Sequence, residues 1–222
     1  MFVLADLKQF IECLAVVTTI LQFLSGVLVC KRYVYNGTTG EASSLPFTCG
    51  FLSCSIWFLY GITKYDGNLV LVNSVGVILM VSYIVVFYLH TLKKTAVLRQ
   101  AYIALGLCVF AIVYAYNEED NDTLLEYLGL TACLLTLLTI AAPMSQLVYV
   151  VRMKSTECLP FPMILMYFVV SSLWFIYGLI EVDHYLMATN IIGASLALAQ
   201  LSLFVIYPSQ HSSSNILKTT LA

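Results

Sequence analysis

"SIWFLYGITKYDGNLVLVNSVG" occupies residues Ser55 to Gly76, and "SLWFIYGLIEVDHYLMATNIIG" occupies Ser172 to Gly193. The same Trp, Tyr, Gly, Asp, Asn and Gly follow in the same order. The offset is constant: 174 − 57 = 117 for the tryptophans and 190 − 73 = 117 for the asparagines. Nine of the 22 paired positions are identical. Two unrelated apolar helices would coincide at Leu and Val. Coincidence at Trp, Asp and Asn in register points to an internal duplication, and a repeat constrains the fold before any other feature does.

The 222-residue chain is 61% hydrophobic and only 10% charged. A water-soluble domain has roughly 45–50% apolar and about 25% charged residues. This chain cannot cover a surface with polar groups, so its solvent is lipid and its spans are helices or a closed barrel. The apolar runs are long and do not alternate with period two, so they are helices. At roughly 20 residues per span, seven candidates stand at about 10–30, 45–63, 68–90, 101–116, 124–151, 159–180 and 185–207. The fourth is the shortest. The first follows Asp6 and ends at Cys30-Lys31-Arg32 with no small-residue cleavage site, so it reads as a retained span.

The cysteines are scattered, with no Cys-x-x-Cys pair and no Cys/His cluster. They read as small buried apolar residues, and neither a metal site nor a cofactor nor a structural disulfide is expected. No basic stripe suggests nucleic acid.

Lysine and arginine sort by loop. Lys31, Arg32, Lys93, Lys94, Arg99, Arg152, Lys154 and Lys218 follow spans 1, 3, 5 and 7, whereas only Lys8 and Lys64 lie on the other side. The positive-inside rule puts the first group in the cytosol and the N-terminus outside. Only an odd number of spans fits. Asn121-Asp122-Thr123 is a glycosylation sequon on the outer side, set too close to the membrane for reliable modification.

Carried backward at the same offset, span 1 pairs with span 5, and Gly26 meets Pro143. Each unit therefore has three helices. Three is odd, so direct fusion would invert the second unit, and span 4 restores its orientation. The expected fold is all-α and membrane-integral, with two parallel three-helix repeats joined by one linker helix. Residues 1–92 form the first repeat, 93–120 the linker helix with its loops, 121–207 the second repeat, and 208–222 a disordered cytosolic tail. Sites in such folds lie near the midplane, between the repeats.

The chain resembles the SWEET (MtN3/saliva) sugar transporters, in their animal form, over all but its last fifteen residues. The resemblance rests on Leu45-Pro46-Phe47, Trp57, Tyr60-Gly61, Asp66, Asn73 and Gly76. It rests equally on Lys154-Ser155-Thr156, Leu159-Pro160-Phe161-Pro162, Trp174, Tyr177-Gly178, Asp183, Asn190 and Gly193.

Trp57 and Asn73 each lie about eight residues from the tip of the loop between spans 2 and 3, or roughly 12 Å deep. The repeat supplies Trp174 and Asn190 at matching depth. A sugar presents apolar C–H faces that rest on an indole, and hydroxyls that a carboxamide can both donate to and accept from. The alternative is that each Asn bridges helices and each Trp marks an interface. The resemblance implies that these four positions line the substrate site, and that Ser53 adds a fifth contact. The repeat partner of Ser53 is Val170, so the pocket is expected to be asymmetric.

The resemblance also implies an outer gate at Tyr60 and Asp183, the alternative being an interfacial Tyr and a solvated loop Asp. Pro46, Pro143 and Pro162 match three of the four helix-bending prolines of plant members, and Gly26 stands at the fourth. Pro46 and Pro160 also suit helix starts. No Asp, Glu, Lys or Arg sits at a span centre, so no ion relay is expected.

The expected function is a facilitative, bidirectional hexose uniporter working by alternating access, not an enzyme. Its partners are a mono- or disaccharide and the bilayer, with further copies of the chain an open option. The plasma membrane is the default location and the Golgi membrane the alternative. One rival is an amino-acid exporter of the PQ-loop kind. It calls for Pro-Gln where this chain has Gly26-Val27 and Pro143-Met144, and for a charged partner in its cavity. A seven-helix receptor is more remote, because the loops are short and receptors do not repeat helices 1–3 as 5–7.

Overall fold

A computed structural model describes residues 2–157 and 159–207. The 208–222 tail, with Lys218, lies outside the described residues. Among those described, the chain forms seven α-helices: α1 Phe2–Asn36, α2 Leu45–Lys64, α3 Gly67–His90, α4 Lys94–Asn117, α5 Asn121–Met153, α6 Phe161–Ile180 and α7 His184–Ile206. All seven are long and apolar enough to cross a membrane.

The fourth helix is not the shortest. It has 24 residues, against 20 each for α2 and α6. Polar Lys94, Arg99 and Gln100 fall within its first two turns, so the helix runs past its apolar part. Gln100 is held there by the Ser44 hydroxyl, which donates to its side-chain oxygen at 2.7 Å. Nearby, Lys93 donates to Glu41 at 2.8 Å and holds that exposed carboxyl below the usual carboxylate range.

The repeated motif builds the same hairpin twice. Tyr65 ends α2 with φ 60°, and Val182, its mate, takes φ 53° between α6 and α7. Such left-handed backbone reverses the chain in one residue. The carbonyls of Gly61 and Gly178 then accept the amide N–H groups of Asp66 at 2.9 Å and Asp183 at 2.8 Å. A Cβ on Gly61 would stand 2.9 Å from the Leu69 Cβ, and one on Gly178 would stand 3.1 Å from the Met187 nitrogen. Only glycine lets the two helices meet this closely.

Asp66 and Asp183 start the next helices. Asp66 accepts from the Asn68 and Leu69 amides, and Asp183 from the Leu186 amide. An Asp N-cap contributes about 0.5–2 kcal/mol to its helix. Asp120 caps α5 in the same way, and its hydrogen bond from the Thr123 hydroxyl holds its carboxyl below the usual range. That hydroxyl belongs to the sequon, which is therefore folded into the cap.

Within each triple the third helix stands between the first two. The neighbours run α1–α3–α2–α5–α7–α6 and back to α1, a closed ring of six. Every contact in it has a repeat-related twin, including the two junctions, α2 with α5 and α1 with α6. The exception is α4, which packs outside the ring against α2 and touches α3. One apolar core crosses both junctions and contains Trp57, Tyr60, Leu69, Trp174, Tyr177 and Leu186.

Candidate functional site

The ring encloses a cavity of about 130 Å³. Trp57, Trp174, Asn73 and Asn190 all line it. Trp57 is seven residues before the end of α2 (64 − 57), and Asn73 is six after the start of α3 (73 − 67). At 1.5 Å per residue both stand about 9–11 Å in from the helix ends. The second repeat sets its own pair at matching depth, with 180 − 174 and 190 − 184 both equal to six.

The indoles are fixed across the junctions. Trp174 Nε1 donates to the Thr19 hydroxyl at 2.8 Å, and Trp57 Nε1 donates to the Thr136 hydroxyl at 3.1 Å. These threonines are themselves repeat mates, since 136 − 19 = 117. Each repeat thus supplies the acceptor for the other repeat's tryptophan. With its N–H satisfied, each indole lines the cavity with its apolar ring.

Each asparagine anchors its amide on its own helix. The Asn73 amide donates to the Leu69 carbonyl at 2.9 Å, and the Asn190 amide donates to the Leu186 carbonyl at 2.8 Å. Leu69 and Leu186 also line the cavity and are also 117 apart. A carboxamide has two N–H donors and one oxygen acceptor. In Asn73 one N–H is used, so a donor and the oxygen remain for a ligand; the Asn190 amide also donates to the Thr189 hydroxyl at 3.5 Å, so there the oxygen remains. Among the described residues no fully buried side-chain polar atom lacks a partner, so these oxygens are not sealed away. No lining residue is ionisable.

Above each Trp stands a Tyr, edge to face: Trp57–Tyr60 at 5.5 Å and Trp174–Tyr177 at 5.3 Å between ring centres. Tyr60 donates to Asp183 at 2.9 Å, and Tyr177 donates to Asp66 at 2.8 Å. This is a second crossed pair of contacts between the repeats, closing the end of the bundle that carries the α2–α3 and α6–α7 turns. The two latches differ: the Asn68 amide also donates to the Tyr177 hydroxyl at 3.4 Å, and the cations are placed unequally. Lys64 also pairs with Asp183. Its mate is Glu181, whose carboxylate is held instead by Lys8 at 2.6 Å.

Ser53 is half-buried on α2, one turn before Trp57, and is not among the residues lining this cavity. Pro46 and Pro162 stand in the first turns of α2 and α6, and Pro160 caps α6. A proline there removes no helical hydrogen bond. They set how the loop meets the helix and do not bend the span from within, so the expected bend is corrected to a helix start at these two. Pro143 falls inside α5, and its side chain lies outside the described residues. Gly26 is a packing notch more than a loosened joint. A Cβ there would collide with the ring of Tyr83, whose hydroxyl donates to the Phe23 carbonyl at 2.9 Å.

Four residues carry no site role in the sequence alone: Thr19, Thr136, Asp66 and Tyr177. The signal for all four was the 117 offset: the first pair lies outside the quoted motif, and the second lies within it.

The family described as "Sugar efflux transporter for intercellular exchange" matches this chain twice, at residues 9–95 and 126–212. The two matches start 126 − 9 = 117 residues apart. The chain belongs to the SWEET sugar transporter family. It is 38% identical over 202 residues to the sugar transporter SWEET1 of Drosophila pseudoobscura pseudoobscura, covering 90% of this chain and 89% of that one. It is 30% identical to the bidirectional sugar transporter SWEET2 of Arabidopsis thaliana, over 83% of this chain and 80% of that one. A solved eukaryotic SWEET transporter superposes with a TM-score of 0.79 at 25% identity, covering 92% of this chain and 98% of that one.

Proposed function

We propose that this SWEET chain is a facilitative, bidirectional carrier of a hexose. Two indoles and two carboxamides, each accepting no hydrogen bond at its oxygen among the described residues, meet in one uncharged cavity between the repeats, and this observation carries the reading. A sugar ring rests its C–H faces on Trp57 and Trp174 and bonds its hydroxyls to Asn73 and Asn190. A zwitterionic amino acid finds no charged partner among the lining residues.

Transport proceeds by alternating access. The crossed Tyr–Asp latches are the outer gate, and breaking them lets the repeats part at that end. The charge distribution supports an N-terminus on the non-cytosolic side and a tail in the cytosol, and the proposed site of action is the plasma membrane, with the Golgi membrane as the alternative. No carboxylate lines the cavity, so sugar moves only down its own gradient.

The test is uptake of labelled hexoses by cells lacking their own carriers. Asn73→Ala or Asn190→Ala removes one or two hydrogen bonds worth about 0.5–1.5 kcal/mol each and strands a partner at about 1–3 kcal/mol. Affinity falls tenfold to several hundredfold, and uptake nearly vanishes. Exposed Ser195, on α7 beyond the motif, is the control, and Ser195→Ala keeps most activity. Asn variants that reach the surface in normal amounts and carry sugar at near wild-type rates defeat the proposal.

A further inference from the structure

The cavity is nearly two-fold symmetric. Its paired lining residues are alike at four positions: Thr19 with Thr136, Trp57 with Trp174, Leu69 with Leu186, and Asn73 with Asn190. At a fifth the pairing breaks. Val72 on α3 and Thr189 on α7 both line the cavity, and 189 − 72 = 117. Valine and threonine have nearly the same shape, so the two repeats differ here by one hydroxyl in place of one methyl. The remaining lining residue, Phe23, has isoleucine at its mate, position 140, which adds no polar group.

We infer that Val72 and Thr189 together set the orientation of the bound sugar and make the site selective for a hydroxyl at one ring position. The inference rests on the hexose reading above. A hexose has no two-fold symmetry. A symmetric cavity would hold it equally well in two poses, turned over about the axis between the repeats. The Thr189 hydroxyl donates to its own helix, with the Tyr185 carbonyl at 3.0 Å and the Leu186 carbonyl at 3.2 Å. Its oxygen accepts from the Asn190 amide at 3.5 Å, and a hydroxyl oxygen has two lone pairs, so one is left for a ligand. The second-repeat half of the cavity therefore offers a carboxamide and a hydroxyl. The first-repeat half offers a carboxamide and a methyl. One sugar hydroxyl lies against Thr189, and a C–H lies against Val72. In the turned-over pose a sugar hydroxyl would face the Val72 methyl with no partner, and a buried unpaired hydroxyl is unfavourable.

The probes are glucose and its five monodeoxy analogues, each used to compete with labelled glucose uptake. In the wild-type chain, removal of one particular hydroxyl weakens binding by about 2- to 12-fold more than the others do, the effect of one neutral hydrogen bond. In Thr189→Val that excess disappears while glucose itself weakens by a similar factor. Thr189→Ser keeps the hydroxyl and keeps the excess. Val72→Thr with Thr189→Val moves the hydroxyl to the other repeat and restores the excess at the same ring position, with the sugar turned over. An unchanged pattern in Thr189→Val at normal surface abundance overturns the inference and leaves the carrier reading standing. So does a uniform loss across the series, which would mean that Thr189 only steadies Asn190. A wild-type chain that takes up no hexose defeats the carrier reading, and this inference with it.

Discussion

Removing one hydroxyl from each latch should tilt the carrier towards its outward-open state, and by unequal amounts. Tyr60 and Tyr177 are both 3% exposed, and each donates to a buried carboxylate of the other repeat. A hydrogen bond to a charged group contributes about 1.5–3 kcal/mol. If the bond exists only when the outer end is closed, its loss shifts the open-to-closed ratio by about 10- to 150-fold. The two carboxylates are not equally placed. Asp183 keeps Lys64 when Tyr60 loses its hydroxyl, so Tyr60→Phe belongs at the low end. Asp66 keeps only the Asn68 and Leu69 amides, both on its other oxygen, so Tyr177→Phe belongs at the high end.

The assay is zero-trans flux in each direction. An outward bias lowers KM measured from outside and raises it from inside. In the proposed uniport, with no second gradient driving the cycle, Vmax/KM stays equal in the two directions, and collapse of the proton gradient leaves net flux intact. If both Phe variants reach the membrane and the ratio of the two KM values does not move, the latches hold helices together and do not gate. Accumulation above the outside concentration would show that the carrier is coupled to an ion.

Two further outcomes are expected. Gly26→Ala forces a methyl into the Tyr83 ring and should cost about 1–3 kcal/mol of stability, read as a lower melting temperature in detergent. Gly106→Ala, on α4 with nothing within 4 Å of the added carbon, should be near neutral, and equal effects would remove the packing role of Gly26. A tag at the C-terminus should stain only after permeabilisation, and staining of intact cells would overturn the orientation drawn from Lys and Arg.

What could be read in advance followed from the repeat. A fixed offset paired the helices, demanded a linker to restore orientation, and put two Trp and two Asn at one depth. Depth and pairing come from the backbone, which a helix makes regular. What the string does not carry lies where side chains decide. Pro46 and Pro162 look alike in a string whether they fall inside a helix or at its start, and the difference is one turn of backbone. Ser53 shares a helix with Trp57 but is not brought to the cavity. The fourth helix looked short because Lys94, Arg99 and Gln100 read as loop, yet Ser44 and Glu41 give that polar turn partners. The Trp–Thr bonds were legible only as a bare coincidence of offset, because hydrogen bonding across a junction leaves no periodic trace along the chain.

The crossed contacts have a consequence for assembly. Trp57 with Thr136, Trp174 with Thr19, Tyr60 with Asp183 and Tyr177 with Asp66 all run from one triple to the other. Either triple alone would leave one indole N–H, one threonine acceptor, one tyrosine hydroxyl and one aspartate acceptor without their cross-repeat partners. The cavity is thus a property of a dimer that happens to be written on one chain. By tethering the halves, α4 turns an encounter between two molecules into an intramolecular one, so completeness of the site no longer depends on how much protein the membrane holds. It also frees the halves to diverge. Lys64 against Glu181, and Val72 against Thr189, are differences that a pair of identical subunits could never carry.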